Sequence, residues 1–358
     1  MLRAEASAPI RVCDCGGWTD TWFAVQGVVV NLAVKPRAEV RVDVRLGGGG
    51  QGDGATVEID APGVDEAYAY PASDPPGRQP LLEQSVAVVD LPDDASVAVG
   101  IRCDAPAGAS TGTSAAVVVA LLGALDAVAA ELAGRHRHEP RAIAALAHHV
   151  ETARVGLQAG IQDQLASALG GVNVIRMDEY PHAQVAPVRM SAQTWRDLDR
   201  RLVVVYLGTS HVSSLVHGSV IAELDDEGPA SPRLDALRAC ADDAVRALEA
   251  NDLDAFGAVM RRNTEAQRAL HPDLVGADAT AVIELAAQLG ATGWKVNGAG
   301  GEGGSVSILC ADDGDAQQAL EAAIDATAPW RRLPSRLDRV GLVVESTGLA
   351  ADATKGWP

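Results

Sequence analysis

Hydrophobic and polar positions follow two different periods along this chain. Up to about residue 103 the spacing is mostly that of strands. Residues 25–34 form an apolar run, and residues 39–46 alternate Glu/Val/Arg/Val/Asp/Val, as a half-buried antiparallel strand does. Residues 96–103 alternate again. The period then changes: residues 113–132 are continuously apolar and rich in good helix formers, which predicts a buried helix. A second helix is predicted over 141–155, after a charged connector at 133–140. Residues 172–177, 183–190 and 202–207 read as strands, and helical patterns dominate 213–289. The chain closes with strands at 293–296 and 305–310, a helix at 315–326 and a strand at 340–345. No repeat of fixed period is present. The mixture predicts an α+β protein, divided into residues 1–180 and 181–358.

Composition narrows the class. A chain of 358 residues is long for one core and suits two domains. Its 47% hydrophobic and 22% charged residues are those of a soluble globular protein. A net charge of -19 argues against nucleic acid as a partner. The cysteines at 13, 15, 103, 240 and 310 form no framework, and the Cys13/Cys15 pair has no second Cys/His pair at zinc-site spacing. Reduced thiols, the absence of a signal-peptide pattern and no apolar run judged long enough to span a bilayer lead to an expected cytoplasmic location without membrane contact. The octet at 47–54 is glycine-rich but precedes no helix, so it reads as a hairpin tip.

Four segments stand out chemically. The first is Pro106-Ala107-Gly108-Ala109-Ser110-Thr111-Gly112-Thr113-Ser114-Ala115, a loop of small residues between a strand and a helix start. Unpaired N–H groups and the positive end of the helix dipole suit such a loop to phosphate, although an ordinary capped turn has the same pattern. It lacks the Lys-Ser/Thr ending of a Walker loop. The second runs from Arg11 through Gly16-Gly17-Trp18-Thr19-Asp20-Thr21, where a strand breaks at a glycine pair and presents a carboxylate. Asp20 suits sugar hydroxyls or caps a turn; Trp18 suits a sugar face or a core. The third contains Gln162-Asp163-Gln164, with Glu151 twelve residues upstream. Two carboxylates behind a phosphate loop suggest one for Mg²⁺ and one near a nucleophile. The fourth is Lys295-Val296-Asn297-Gly298-Ala299-Gly300-Gly301-Glu302-Gly303-Gly304, whose glycine density implies either close backbone approach or a flexible hairpin.

Taken in order, these motifs resemble those of the GHMP kinases (galactokinase, homoserine kinase, mevalonate kinase, phosphomevalonate kinase). The 106–115 loop is similar to P-x-G-x-G-L-G-S-S-A, and 295–304 to K-x-x-G-A-G-G-G-G. The resemblance implies a two-domain fold with mixed and antiparallel sheets and an active site in the cleft between the domains. Arg11 and Asp20 keep the separation of nine found in the galactokinase Arg-x-Asn-x-x-Gly-Glu-His-Thr-Asp motif, with Gly17-Trp18 in place of Glu-His. The Gly-Gly-Trp-Thr-Asp-Thr string is similar to fucokinase-type kinases, and Gly-Gly-x-Thr-Asp also occurs in heptose 7-phosphate kinases.

Carried over by position, the resemblance implies that Asp163 and Arg11 are catalytic and that Ser114 and Glu151 bind Mg²⁺. Pro106, Gly108, Ser110, Thr111, Gly112, Thr113 and Ser114 would bind ATP. Gly17, Trp18, Thr19, Asp20, Gln162, His211, Gly298 and Gly300 would surround the acceptor. Ser110, Thr111 and Thr113 replace Gly, Leu and Ser of the family loop, and Ser110 is strained if its position requires positive φ. The implied reaction is ATP-dependent phosphorylation of the anomeric hydroxyl of a sugar or sugar phosphate, such as a heptose 7-phosphate or a fucose-like sugar, by a monomer or homodimer. A silent ATP/sugar sensor and a kinase for a non-sugar alcohol are the rivals; Asp163 and Arg11 weigh against the first, Asp20 against the second.

Overall fold

A computed structural model of the chain describes residues 1–47, 54–61, 66–209, 213–224 and 227–347. The first half contains β1 (Leu2–Cys15), β2 (Gly27–Arg45), β3 (Thr56–Ala61), β4 (Glu66–Pro71), α1 (Pro80–Ala87), β5 (Ser96–Cys103), α2 (Thr113–Ala133), α3 (Pro140–His149), α4 (Gln162–Leu169), β6 (Val172–Glu179) and β7 (His182–Pro187). The second contains α5 (Ala192–Arg201), β8 (Leu202–Tyr206), α6 (Ser213–Leu224), α7 (Pro232–Glu249), α8 (Leu253–Leu270), α9 (Ala277–Gln288), β9 (Gly293–Val296), β10 (Ser305–Leu309), α10 (Gly314–Asp325), β11 (Arg331–Leu333), β12 (Arg336–Leu337) and β13 (Val343–Thr347).

Two sheets organise these elements. The larger runs β13-β1-β2-β5-β3-β4, with β12 and β6 also on β2 and β7 on β6; the smaller runs β11-β8-β10-β9. The alternation at 39–46 has its expected cause: Val40, Val42 and Val44 are buried, and they belong to one core with α2. A second core joins Ile10, Val12, Val30 and Leu32 of the large sheet to Cys240, Ala244, Phe256 and Met260 of α7 and α8. Those helices therefore brace β1, the strand that carries Arg11.

Several expectations change in three dimensions. The predicted hairpin at 47–54 is not one: β2 and β3 are separated by β5, which pairs with β3 in parallel. Residues 48–53 themselves lie outside the described residues. A division after residue 180 cuts the β6–β7 hairpin, and β12 and β13 return from the far end of the chain to the large sheet. β13 covers the edge of β1, whose polar backbone would otherwise be left open, while β12 adds a short pairing to the interior strand β2. Helix α2 is, by length and composition, apolar enough to cross a membrane, contrary to the reading of the sequence. It is instead enclosed: 83% of its most apolar stretch is buried.

Candidate active site

The 106–115 segment links β5 to α2 as a loop with three left-handed residues. Gly108 and Gly112 have φ of 72° and 67°, and Ser110, with φ 59°, occupies the region where a side chain is strained. The carbonyls of this loop are held from behind. Ala109 O accepts from Ser305 Oγ at 2.6 Å, Ser110 O from Arg11 Nη1 at 2.6 Å, and Thr111 O from the Arg11 amide at 2.9 Å. Gly112 is the N-cap residue, and no side chain caps α2. The loop borders a cavity of about 280 Å³ that is also lined by the aliphatic side chains of Leu81, Leu82, Ile101, Val117 and Val118. A helix N-terminus with uncapped amides beside an apolar slot suits a nucleotide: phosphate at one end, base at the other.

A second cavity, of about 140 Å³, adjoins it and includes Asp14, Trp18, Asp20, Glu151, Gln162 and Gln164. Arg11, Ser114, Asp163, Gly298 and Ala299 line both cavities. At this junction Arg11 grips Asp163 with two bonds, Nε to Oδ1 at 2.7 Å and Nη2 to Oδ2 at 3.1 Å. Burial works against the guanidinium charge, but Asp163, Asp14 and Asp20 outweigh it and hold the Arg11 pKa above its ordinary value. Glycine suits position 112 because its φ is 67°, and a Cβ there would also press on Arg11 Cγ at 3.2 Å.

The acceptor-side carboxylates are placed by separate elements. After the strand breaks, Thr19 and Thr21 use their hydroxyls to close the turn on the Gly16 and Trp18 carbonyls, leaving the buried Asp20 carboxylate as the group at the cavity. Asp20 accepts from the Gln162 amide at 3.1 Å. Burial and the nearby Asp163 charge raise its pKa to about 6. Gly160 leaves room for it: a Cβ there would lie 2.1 Å from Asp20 Oδ2. The loop holding Gly160 is braced by Tyr180, whose hydroxyl donates to Ala159 O at 3.1 Å and meets His148 Nε2 at 2.7 Å. Glu151 comes from a π-helical turn, Val150–Arg154, that extends α3 where an ordinary helix was expected. Gln164 donates to it at 2.5 Å. Burial and the Asp163 charge push its pKa up to about 7.

The C-terminal glycine loop closes over this junction as the β9–β10 connection. Gly298 takes φ 61° and donates to Asp14 Oδ1 at 2.9 Å, and a Cβ on it would meet Ser110 O at 3.0 Å. Asn297 accepts from the Cys13 amide at 2.9 Å and from Ser307 Oγ at 2.8 Å. Lys295 is buried behind the loop, donating to Gln267 Oε1 at 3.0 Å and lying 3.7 Å from Asp14.

Known proteins are similar to this chain in sequence and in fold. Residues 82–171 match the GHMP kinases N terminal domain, and residues 244–328 match the GHMP kinases C terminal domain. The chain thus carries both domains of the GHMP kinases, one in each half. It is 24% identical over 345 residues to the bifunctional fucokinase/GDP-fucose pyrophosphorylase of Arabidopsis thaliana, covering 92% of this chain and 32% of that protein. It is 24% identical over 203 residues to the D-glycero-alpha-D-manno-heptose 7-phosphate kinase of Campylobacter jejuni, covering 56% and 57% of the two chains. The chain spans about a third of the first relative and little more than half of the second. Its fold is similar to a crystal structure of a D-glycero-D-manno-heptose 1-phosphate kinase from Bacteroides thetaiotaomicron, with TM-score 0.72 at 20% identity over 96% of this chain and 98% of that one.

Not every residue singled out in the sequence reaches a cavity. Among the described residues, Gly108 and residues 110–114 border the nucleotide-side cavity, but Pro106 does not; its carbonyl accepts from Ala109 at 3.3 Å and shapes the turn. Trp18, Asp20, Gln162 and Gly298 border the acceptor side. Gly17, Thr19 and Gly300 stay behind it. A Cβ on Gly17 would lie 2.3 Å from Asp14 Oδ2, Thr19 is fully buried in its turn, and a Cβ on Gly300 would lie 2.2 Å from Leu274 O. Their smallness or hydroxyl serves packing. Trp18 belongs mainly to a core with Leu234, Leu237 and Leu270. His211 lies outside the described residues. Conversely, sequence reasoning missed Asp14, a fully buried carboxylate shared by Arg11, Lys295 and Gly298, which carried no motif signal.

Proposed function

We propose that this chain transfers the γ-phosphoryl group of ATP to the anomeric hydroxyl of a sugar or sugar phosphate, feeding nucleotide-sugar synthesis. The observation that carries the reading is the meeting of two cavities at one Arg11–Asp163 pair. A donor bound in one cavity and an acceptor in the other bring the reacting atoms together at that pair, which is what phosphoryl transfer requires of a protein. Asp163, clamped in orientation by Arg11, accepts the hydroxyl proton or stabilises the attacking oxygen, and Arg11 offsets charge as it develops. An anomeric hydroxyl is more acidic than an ordinary alcohol, which lightens the demand on Asp163.

Ser114 and Glu151 fit a Mg²⁺ ion. A hydroxyl and a carboxylate are hard oxygen donors, and both border the acceptor-side cavity next to Asp163. Among the described residues no three His, Cys, Asp or Glu side chains form a dedicated metal cage. That suits Mg²⁺, which commonly combines one or two protein ligands with substrate phosphates and water. When bound, the ion supplies charge neutralisation on the transferred phosphate.

The test is a coupled ADP-release screen over free sugars and sugar phosphates, with ³¹P NMR of the product. The expected product is an anomeric phosphate. ATP binding without ADP release on any sugar overturns the kinase reading in favour of a sensor, and a product phosphorylated away from C1 overturns the regiochemistry.

A further inference from the structure

We infer that the acceptor is an uncharged sugar, recognised through its hydroxyls by carboxylates and amides, and not a sugar that already bears a phosphate. This rests on the sugar-kinase reading and selects between its two substrate classes. The basis is what borders the acceptor-side cavity. Asp14, Asp20, Glu151 and Asp163 contribute four carboxyl groups there, and among the described residues the only cation is Arg11.

Every Arg11 nitrogen already serves a protein acceptor, and Asp163 and Asp14 already offset its charge. Nε and Nη2 serve Asp163, and Nη1 serves the Ser110 carbonyl at 2.6 Å. The other polar side chains at the wall are neutral, namely Trp18, Thr21, Ser114, Gln158, Gln162 and Gln164. Carboxylates accept from hydroxyls, and amides both donate and accept, so the set suits a polyol. A distal phosphate dianion would instead meet Asp14, Asp20 and Asp163 with no side-chain cation beyond Arg11, while an ion held by Ser114 and Glu151 would be engaged by the nucleotide phosphates. Burial, and after it the Asp163 charge, already disfavours negative charge at Asp20, whose pKa is raised to about 6. Size points the same way: the cavity is about 140 Å³, half of the 280 Å³ on the nucleotide side.

The experiment compares kcat/KM of the full chain with ATP and Mg²⁺ for matched pairs, each a free hexose or heptose and the same sugar phosphorylated at its distal carbon. The free sugar is expected to be better by about 30-fold or more, the scale of one unit-charge repulsion at intermediate dielectric. Gln158→Arg, which adds a cation to the wall, is expected to narrow that ratio by roughly tenfold. A phosphorylated sugar used as well as, or better than, its free counterpart overturns the inference while leaving the kinase reading intact. Failure of both members of every pair to release ADP overturns the sugar-kinase reading and this inference with it.

Discussion

The two cavities that meet at Arg11 and Asp163 are built from different materials. On the nucleotide side the polar work falls to the main chain of one continuous loop, set against aliphatic side chains. On the acceptor side it falls to side chains delivered by a broken strand, a π-helical turn and the start of α4. Backbone groups are present whatever residue occupies the position, so the first side tolerates side-chain change where conformation allows. Ser110, Thr111 and Thr113 in place of the family residues are consistent with that. Side-chain recognition has no such latitude, because each carboxylate is one atom group at one place.

The comparison can be broken in graded ways, beginning at the shared pair. Asp163→Asn should lower kcat by roughly 10³-fold with small changes in either KM; a variant with near-normal steady-state turnover would remove Asp163 from the chemistry. Next, Asp20→Asn should raise the acceptor KM by about 10- to 100-fold and leave the ATP KM alone.

The same substitution carries a stability signature. The native state raises the Asp20 pKa from 3.8 to about 6, so between those values the unfolded chain releases a proton that the folded chain retains. Folding stability therefore falls as pH rises through this window, and the loss is complete above it. Asp20→Asn should thus raise Tm by a few degrees at pH 8 and little at pH 4, as read by calorimetry; an equal shift at both values would contradict the buried-charge account.

On the nucleotide side, Gly112→Ala introduces a Cβ at φ 67° and against Arg11, which should raise the ATP KM by roughly tenfold. An unaffected ATP KM would mean that the αL turn is not what shapes the phosphate site. Tyr180→Phe removes the donor that braces Ala159 O, so a rise of about threefold is expected in the acceptor KM alone. Parallel changes in both KM values would point to a general loss of packing. The smallest effect belongs to Ser110→Gly. Relief of a left-handed serine and the added flexibility of glycine oppose each other at about 1 kcal/mol each, so the ATP KM should move by less than about threefold in equilibrium or kinetic titration. A larger loss would assign the Ser110 side chain a role that the main-chain account does not contain.

Local patterns survive folding when the local context is also the final context. The alternation at 96–103 became β5 with the same limits, and the apolar run from 113 became α2, because each has a single buried face or is buried throughout. The return of β13 to β1 carried no such signal, since pairing between Arg3 and Thr347 is a property of two distant segments. The π-helical turn at Glu151 was hidden for a related reason: an apolar period near 3.6 does not reveal one wider turn.

The sequence by itself determined the α+β class, the order of four motif segments and the family they resemble, because those are written in composition, period and spacing. It also flagged Ser110 as strained if its position required positive φ, and that condition is met; Cys13, Trp18, Val25 and Asn251 share the conformation without having been flagged. Tertiary structure decided which motif residues reach a cavity, turning Gly17, Thr19 and Gly300 into packing residues and bringing in Asp14. It also decided how charges add up around the acceptor. Desolvation and like-charge proximity depend on distances between segments that lie far apart along the chain, and only the folded molecule sets those distances.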